Sequence, residues 1–115
     1  MEPGEKLLRL VLHDQAFIDS VLGVDVDNLD ASGLDPRTHA AIRLGALLAM
    51  DAPSVSYQWN LDEALGAGVT AEEIVGCLIA VAPLIGIPRV IGAAPDLAYM
   101  IGYDINGALE ALAEE

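Results

Sequence analysis

Apolar residues at Leu7, Leu8, Val11, Ile18, Val21 and Leu22 recur with a helical rather than an alternating period. They predict a first helix over about residues 5–22, with His13-Asp14 as the place where it would break. The next stretch, "GVDVDNLDASGLDP", loses the period and concentrates Asp, Asn, Ser and Gly. Such side chains compete for backbone hydrogen bonds, so a loop is expected. Asp35-Pro36 then signals a helix start, because the carboxylate accepts from free amides and proline at the first helical position loses no useful donor. This second helix runs to about Met50. A third begins near Ser54 and stops at Gly66 or Gly68, where a residue without Cβ can take the left-handed closing conformation.

"TAEE" at residues 70–73 reads as a capping box that starts the fourth helix, with Thr70 bonding forward and Glu73 bonding back. From Ile74 to Ile85 this helix is apolar almost all round, which predicts burial on more than one side and a subunit interface. The charge-free run from Ile74 to Pro88 falls short of the roughly twenty residues a bilayer span needs, and Pro83 and Gly86 interrupt it. Pro88 opens a fifth helix, Pro95 should break or kink it, and Gly102 ends it. Asp104 caps a last amphipathic helix carrying Ile105, Leu109 and Leu112. The expected architecture is all-α, with about six helices in a single domain spanning residues 1–115.

Composition narrows the partners. Apolar residues make up 54% of the chain and aromatics only 4%, so the core must be built from Ala, Leu, Ile and Val. Eighteen acidic against five basic side chains give a formal charge of −13, which repels phosphate backbones and anionic headgroups. Neither nucleic acid nor a membrane is expected as a partner. The single cysteine, Cys77, excludes an intrachain disulfide and a Cys-x-x-Cys pair. With an acidic N-terminus and no basic, cleavable leader, a cytoplasmic setting is expected. His13 and His39 lack metal-ligand spacing, so no metal and no cofactor is expected.

"LDPRTHAAIRLGALLAM", followed by "ALGAGVTAEEIVGCLIAVAPLIGIPRVIGAA", resembles the carboxymuconolactone decarboxylase family, which includes the alkylhydroperoxidase AhpD-like proteins. The likeness covers about residues 34–94. It implies an AhpD-like fold of antiparallel packed helices and a symmetric homo-oligomer, trimer or hexamer. It also implies, in the peroxidase branch, a Cys-x-x-Cys pair, a histidine four residues after the second cysteine and a glutamate on the preceding helix. The decarboxylase branch acts on a small carboxylated lactone and typically keeps the histidine. With "ALGAGVT" as the anchor, the two cysteine positions fall on Pro53 and Ser56, the histidine on Asn60 and the glutamate on Ala40 or Ala41. Every reacting group is replaced. The resemblance therefore implies the family's frame without its thiol chemistry, since hydroperoxide reduction needs a thiolate and a resolving thiol.

The remaining candidates are polar or aromatic. Ser56, Asn60 and Glu63 share a helical face, and Asn60 can orient a carbonyl or a water but cannot act as a base near neutral pH. Asn60, Ser56 and His39 are the catalytic candidates; Trp59, Tyr57, Arg43 and Arg89 are the substrate-binding ones. Each has a plainer reading. Tyr57 and Trp59 would serve equally as core or interface filling, and His39 with Arg43 as a solvated helix stripe. Arg89 would serve as well in an ion pair, and Cys77 as a small core residue. Two functions stay open: a protein that binds or transforms a small carboxylated molecule, and a catalytically silent oligomeric ligand-binding or partner subunit.

Overall fold

The computed structural model describes residues 1–23, 26–50 and 54–114. Among them are eight α-helices and no strand. These are α1 (Pro3–Val11), α2 (Gln15–Val21), α3 (Val26–Ser32), α4 (Pro36–Ala49), α5 (Ser54–Gly66), α6 (Ala71–Ile85), α7 (Ile87–Met100) and α8 (Ile105–Ala113). Their contacts divide the chain into two compact units, Met1–His39 and Ala40–Glu115, with the boundary near the start of α4.

In the first unit the helix expected over residues 5–22 is two helices, α1 and α2. His13 takes a left-handed φ of 56°, its N–H reaches back to the Leu10 carbonyl, and the Asp14 N–H reaches the Arg9 carbonyl. That pair of bonds is a Schellman closure of α1. Asp14 then caps α2 by accepting the Phe17 N–H at 3.1 Å, while Arg9 bridges Glu5 at 3.0 Å and Asp14 at 3.1 Å across the corner. Phe17 is the unit's buried anchor.

The second difference lies in the segment expected to be a loop, which contains α3. Asn28 does not compete for its own backbone there. Its amide donates to the Val21 carbonyl at the end of α2, and its Oδ1 lies 2.7 Å from His39 Nε2. A side chain that local propensity assigns to turns has found tertiary partners instead, and the helix survives. The split first helix and the added α3 raise the count from about six to eight. The start of α4 is as expected: Asp35 accepts the Thr38 amide at 2.9 Å and the Thr38 hydroxyl at 2.8 Å.

The core of the second unit is assembled from one row of residues on each of α4, α5, α6 and α7. Ala40, Leu44 and Leu48 come from α4, Tyr57, Leu61 and Ala64 from α5, Ile74 and Leu78 from α6, and Ala93 and Leu97 from α7. Spacings of three and four keep each row on one helical face. Leu44, Leu48, Leu61 and Ile74 are essentially inaccessible. Each such burial contributes about 1.5–3 kcal/mol, so these rows hold the helices together.

Helix ends follow local chemistry. The Thr70–Glu73 capping box is present in both directions, at 3.1 and 3.0 Å. α5 ends at Gly66, and Gly68 at φ 92° lets the Val69 N–H reach the Ala64 carbonyl. α6 and α7 are joined by Gly86 alone, at φ 91° and ψ 149°. That backbone region is essentially restricted to glycine. Pro88 lies in the first turn of α7 as expected, and α7 continues through Pro95 as one helix.

Candidate functional site

α5 carries four of the seven candidate residues. Tyr57 is 3% exposed and belongs to the core, with its hydroxyl donating to the Leu47 carbonyl of α4 at 3.2 Å. Trp59, two positions on, points the other way and is 67% exposed. It presents an apolar plate outward. Asn60 and Ser56 are half-buried, and the Asn60 amide donates to the Ser56 carbonyl at 2.9 Å, one turn back on the same helix. The Asn60 Oδ1, the Ser56 hydroxyl and the exposed Glu63 carboxylate are the groups on this face that can meet a ligand.

Arg89 lies in the first turn of α7 and is exposed, with Nη1 donating to the Ala49 carbonyl. Tyr57 and Arg89 therefore converge on the last turn of α4, two carbonyls apart. A helix leaves its final carbonyls without intrahelical donors and carries a partial negative charge there, which a hydroxyl and a guanidinium both relieve. The sequence offers no sign of this shared role, because the donors come from two later helices.

His39 lies in the first unit, where Asn28 fixes it. The Asn28 amide nitrogen is committed to the Val21 carbonyl, so its oxygen faces the ring and His39 Nε2 carries the hydrogen. Nδ1 of the neutral ring is left as the acceptor. Arg43 follows one turn later on α4 and is half-buried. Of the positions matching the peroxidase motif, Ala40 is buried and Ala41 half-buried, while Pro53 lies outside the described residues.

Cys77 is half-buried in α6. Burial pushes its thiol above the ordinary range, and the negative charge of Glu73, one turn earlier, adds to the effect. The thiol stays protonated at neutral pH. No group of three or more His, Cys, Asp or Glu among the described residues could hold a metal ion, and no described helix is long and apolar enough to cross a membrane.

Sequence reasoning passed over the end of α7. A cavity of about 290 Å³ opens there between α6 and α7, with Leu78 and Leu97 in its wall and Tyr103 at its rim. A second hollow of about 540 Å³ shares Tyr103 with it and is lined also by Tyr99 and Asp104. The spacing of Tyr99 and Tyr103 on either side of the closing Gly102 is the signal that could have marked it.

The model of the carboxymuconolactone decarboxylase family matches residues 15–98. This chain belongs to that family. No curated protein and no solved structure matches it. The carboxymuconolactone decarboxylase match runs from the start of α2 into α7, so it includes every candidate residue as well as Cys77. α1 and α8 lie outside it.

Proposed function

We propose that this carboxymuconolactone decarboxylase family protein does not reduce hydroperoxides and instead binds or transforms a small carboxylated molecule. The state of Cys77 carries this reading. Peroxide reduction requires a thiolate to attack the O–O bond and a second thiol to resolve the product. The only sulfur of a cysteine here is half-buried and held protonated, and Pro53 and Ser56 stand at the two positions where the family resemblance places its cysteines. Decarboxylation asks for different groups: donors that stabilise the charge left behind, and a proton source. Arg89 is suited to the first task, being exposed with guanidinium N–H groups beyond the one on Ala49. Ser56 and Asn60 are assigned to orient the bound molecule, with Trp59 and Arg43 as binding residues, whereas Tyr57, buried and bonded to the Leu47 carbonyl, serves the core, and His39 of the first unit is given no role in this site. The helices pack antiparallel and the chain works in the cytoplasm as a homo-oligomer, trimer or hexamer, in keeping with the family resemblance.

A silent oligomeric subunit is the second reading. The commitment of the Tyr57 hydroxyl, the Asn60 amide and one Arg89 nitrogen to backbone carbonyls favours it. The purified chain, given a hydroperoxide and a dithiol reductant, should consume no more peroxide than its Cys77→Ala variant. Peroxide consumption that disappears in that variant overturns the first claim. Small carboxylates and lactones, screened for a rise in melting temperature and for release of CO2, then separate the two readings. Binding that is lost in Arg89→Ala supports the ligand reading, whereas no response to any carboxylate leaves the silent subunit.

A further inference from the structure

The two hollows that share Tyr103 differ in their walls. The smaller, of about 290 Å³, is formed by Leu78 of α6, by Ala94 and Leu97 of α7 and by Ile101, and Tyr103 is its one polar side chain. An apolar cavity of about 150 Å³ stays dry and takes up benzene, so this one has room for a ring or a short alkyl chain.

The larger, of about 540 Å³, is electronegative. Asp104 lines it with a carboxylate whose Oδ1 accepts the Gly107 N–H at 2.9 Å and whose Oδ2 has no bond among the described residues. Tyr99 and Tyr103 are 85% and 57% exposed, so the core does not take up their rings, and neither hydroxyl is bonded among the described residues. The negative face of such a ring attracts a cation. Tyr99 and Gly102 place the hollow at the end of α7, where the last carbonyls add a partial negative charge, while the opposite charge at the start of α8 is already met by Asp104. Among the described residues no Lys, Arg or His lines either hollow. Arg89, the one cation between residue 44 and the C-terminus, is held on the Ala49 carbonyl. A carboxylate would meet only repulsion here, which separates this place from the site around Arg89. Tyr99, Tyr103 and Asp104 also lie beyond the family match, which ends at residue 98.

We propose that the end of α7 binds an organic ammonium with an apolar body, its charged head against Tyr99, Tyr103 and Asp104 and its hydrocarbon in the cavity between α6 and α7. An alkylated ammonium suits the place better than a bare amine, because its methyl groups lie against ring faces and it gives up little water.

Hexyltrimethylammonium is the probe, followed by calorimetry and by its N-methyl proton resonance, which a ring face should move upfield. Binding should saturate. Tetramethylammonium, which lacks the body, should bind at least about tenfold more weakly. Hexanoate, even where it binds at Arg89, should not compete. Tyr99→Leu should weaken binding about threefold or more. Asp104→Asn, which keeps a capping side chain for α8, should weaken it as well. Ala94→Phe, on the exposed wall of the apolar cavity, should weaken the hexyl compound and leave tetramethylammonium as it was. Hexanol binding as tightly as hexyltrimethylammonium would overturn the assignment, since the cavity would then take hydrocarbon alone. Equal binding of the two ammonium compounds, or binding unchanged in Tyr99→Leu and Asp104→Asn, would overturn it too, as general attraction of cations to a chain of formal charge −13. Should Ala94→Phe fail to fold, those two exposed substitutions decide.

Discussion

Tyr57→Phe removes one oxygen from the second unit and nothing else. The ring is 3% exposed and keeps its packing, so the loss falls on what the hydroxyl makes, the bond to the Leu47 carbonyl included. A typical intramolecular hydrogen bond contributes about 0.5–1.5 kcal/mol net, and a buried acceptor left bare costs up to about 3 kcal/mol. At 3.2 Å the bond is at the long end, and the carbonyl belongs to a helix terminus that water can approach, so we expect about 1 kcal/mol. In a domain of this size that corresponds to a fall of roughly 4 °C or more in melting temperature. Tyr57→Ala, which also empties the ring's place in the core, should cost about 3–5 kcal/mol. Urea unfolding followed by far-UV circular dichroism, at one fixed protein concentration, measures both variants. Two outcomes refute the reasoning: Tyr57→Phe indistinguishable from wild type, or Tyr57→Phe as damaging as Tyr57→Ala.

Three further predictions concern individual positions. The amide and hydroxyl of Thr38 hold the Asp35 carboxyl below its ordinary value, so its contribution is complete above the usual carboxylate range and disappears as pH falls through the lowered value. The stability gap between wild type and Asp35→Asn should therefore shrink on acidification from about pH 5, around the unfolded-state carboxylate range of about 3.9; a gap independent of pH would contradict the cap. Cys77, with its thiol pushed up by burial, should alkylate with iodoacetamide more slowly than a free thiol at neutral pH, and its rate should still be rising with pH where the free thiol has levelled off. Ile74→Val should cost about 0.5–1.5 kcal/mol because the side chain is fully buried, whereas Ile79→Val, on the exposed side of the same helix, should leave the unfolding of the separated chain unchanged; equal losses in chemical denaturation would mean that the two faces have been assigned wrongly.

What could be read from the sequence divides by distance along the chain. The capping box at Thr70 and Glu73, the left-handed closure at Gly68 and the caps at Asp35 and Asp104 each depend on residues within four positions, and all are present. The family resemblance, carried by ordered segments over residues 34–94, is borne out by the match over residues 15–98. α3 was hidden because Asn28 bonds to Val21, seven positions earlier, and to His39, eleven positions later. The shared role of Tyr57 and Arg89 was hidden for the same reason, since Arg89 reaches a carbonyl forty positions back. The sequence also marked α6 as apolar on every side. Only packing could say which half α7 and the core cover and which half stays open.

Gly86 leaves no slack between α6 and α7. A linker of several residues would absorb a tilt of one helix, but a single residue, in a conformation only glycine takes readily, passes that tilt into the next turn. The next turn holds Arg89, three residues on, with its grip on the end of α4. A tilt of α6 would thus be carried to the guanidinium and, through it, to the end of α4.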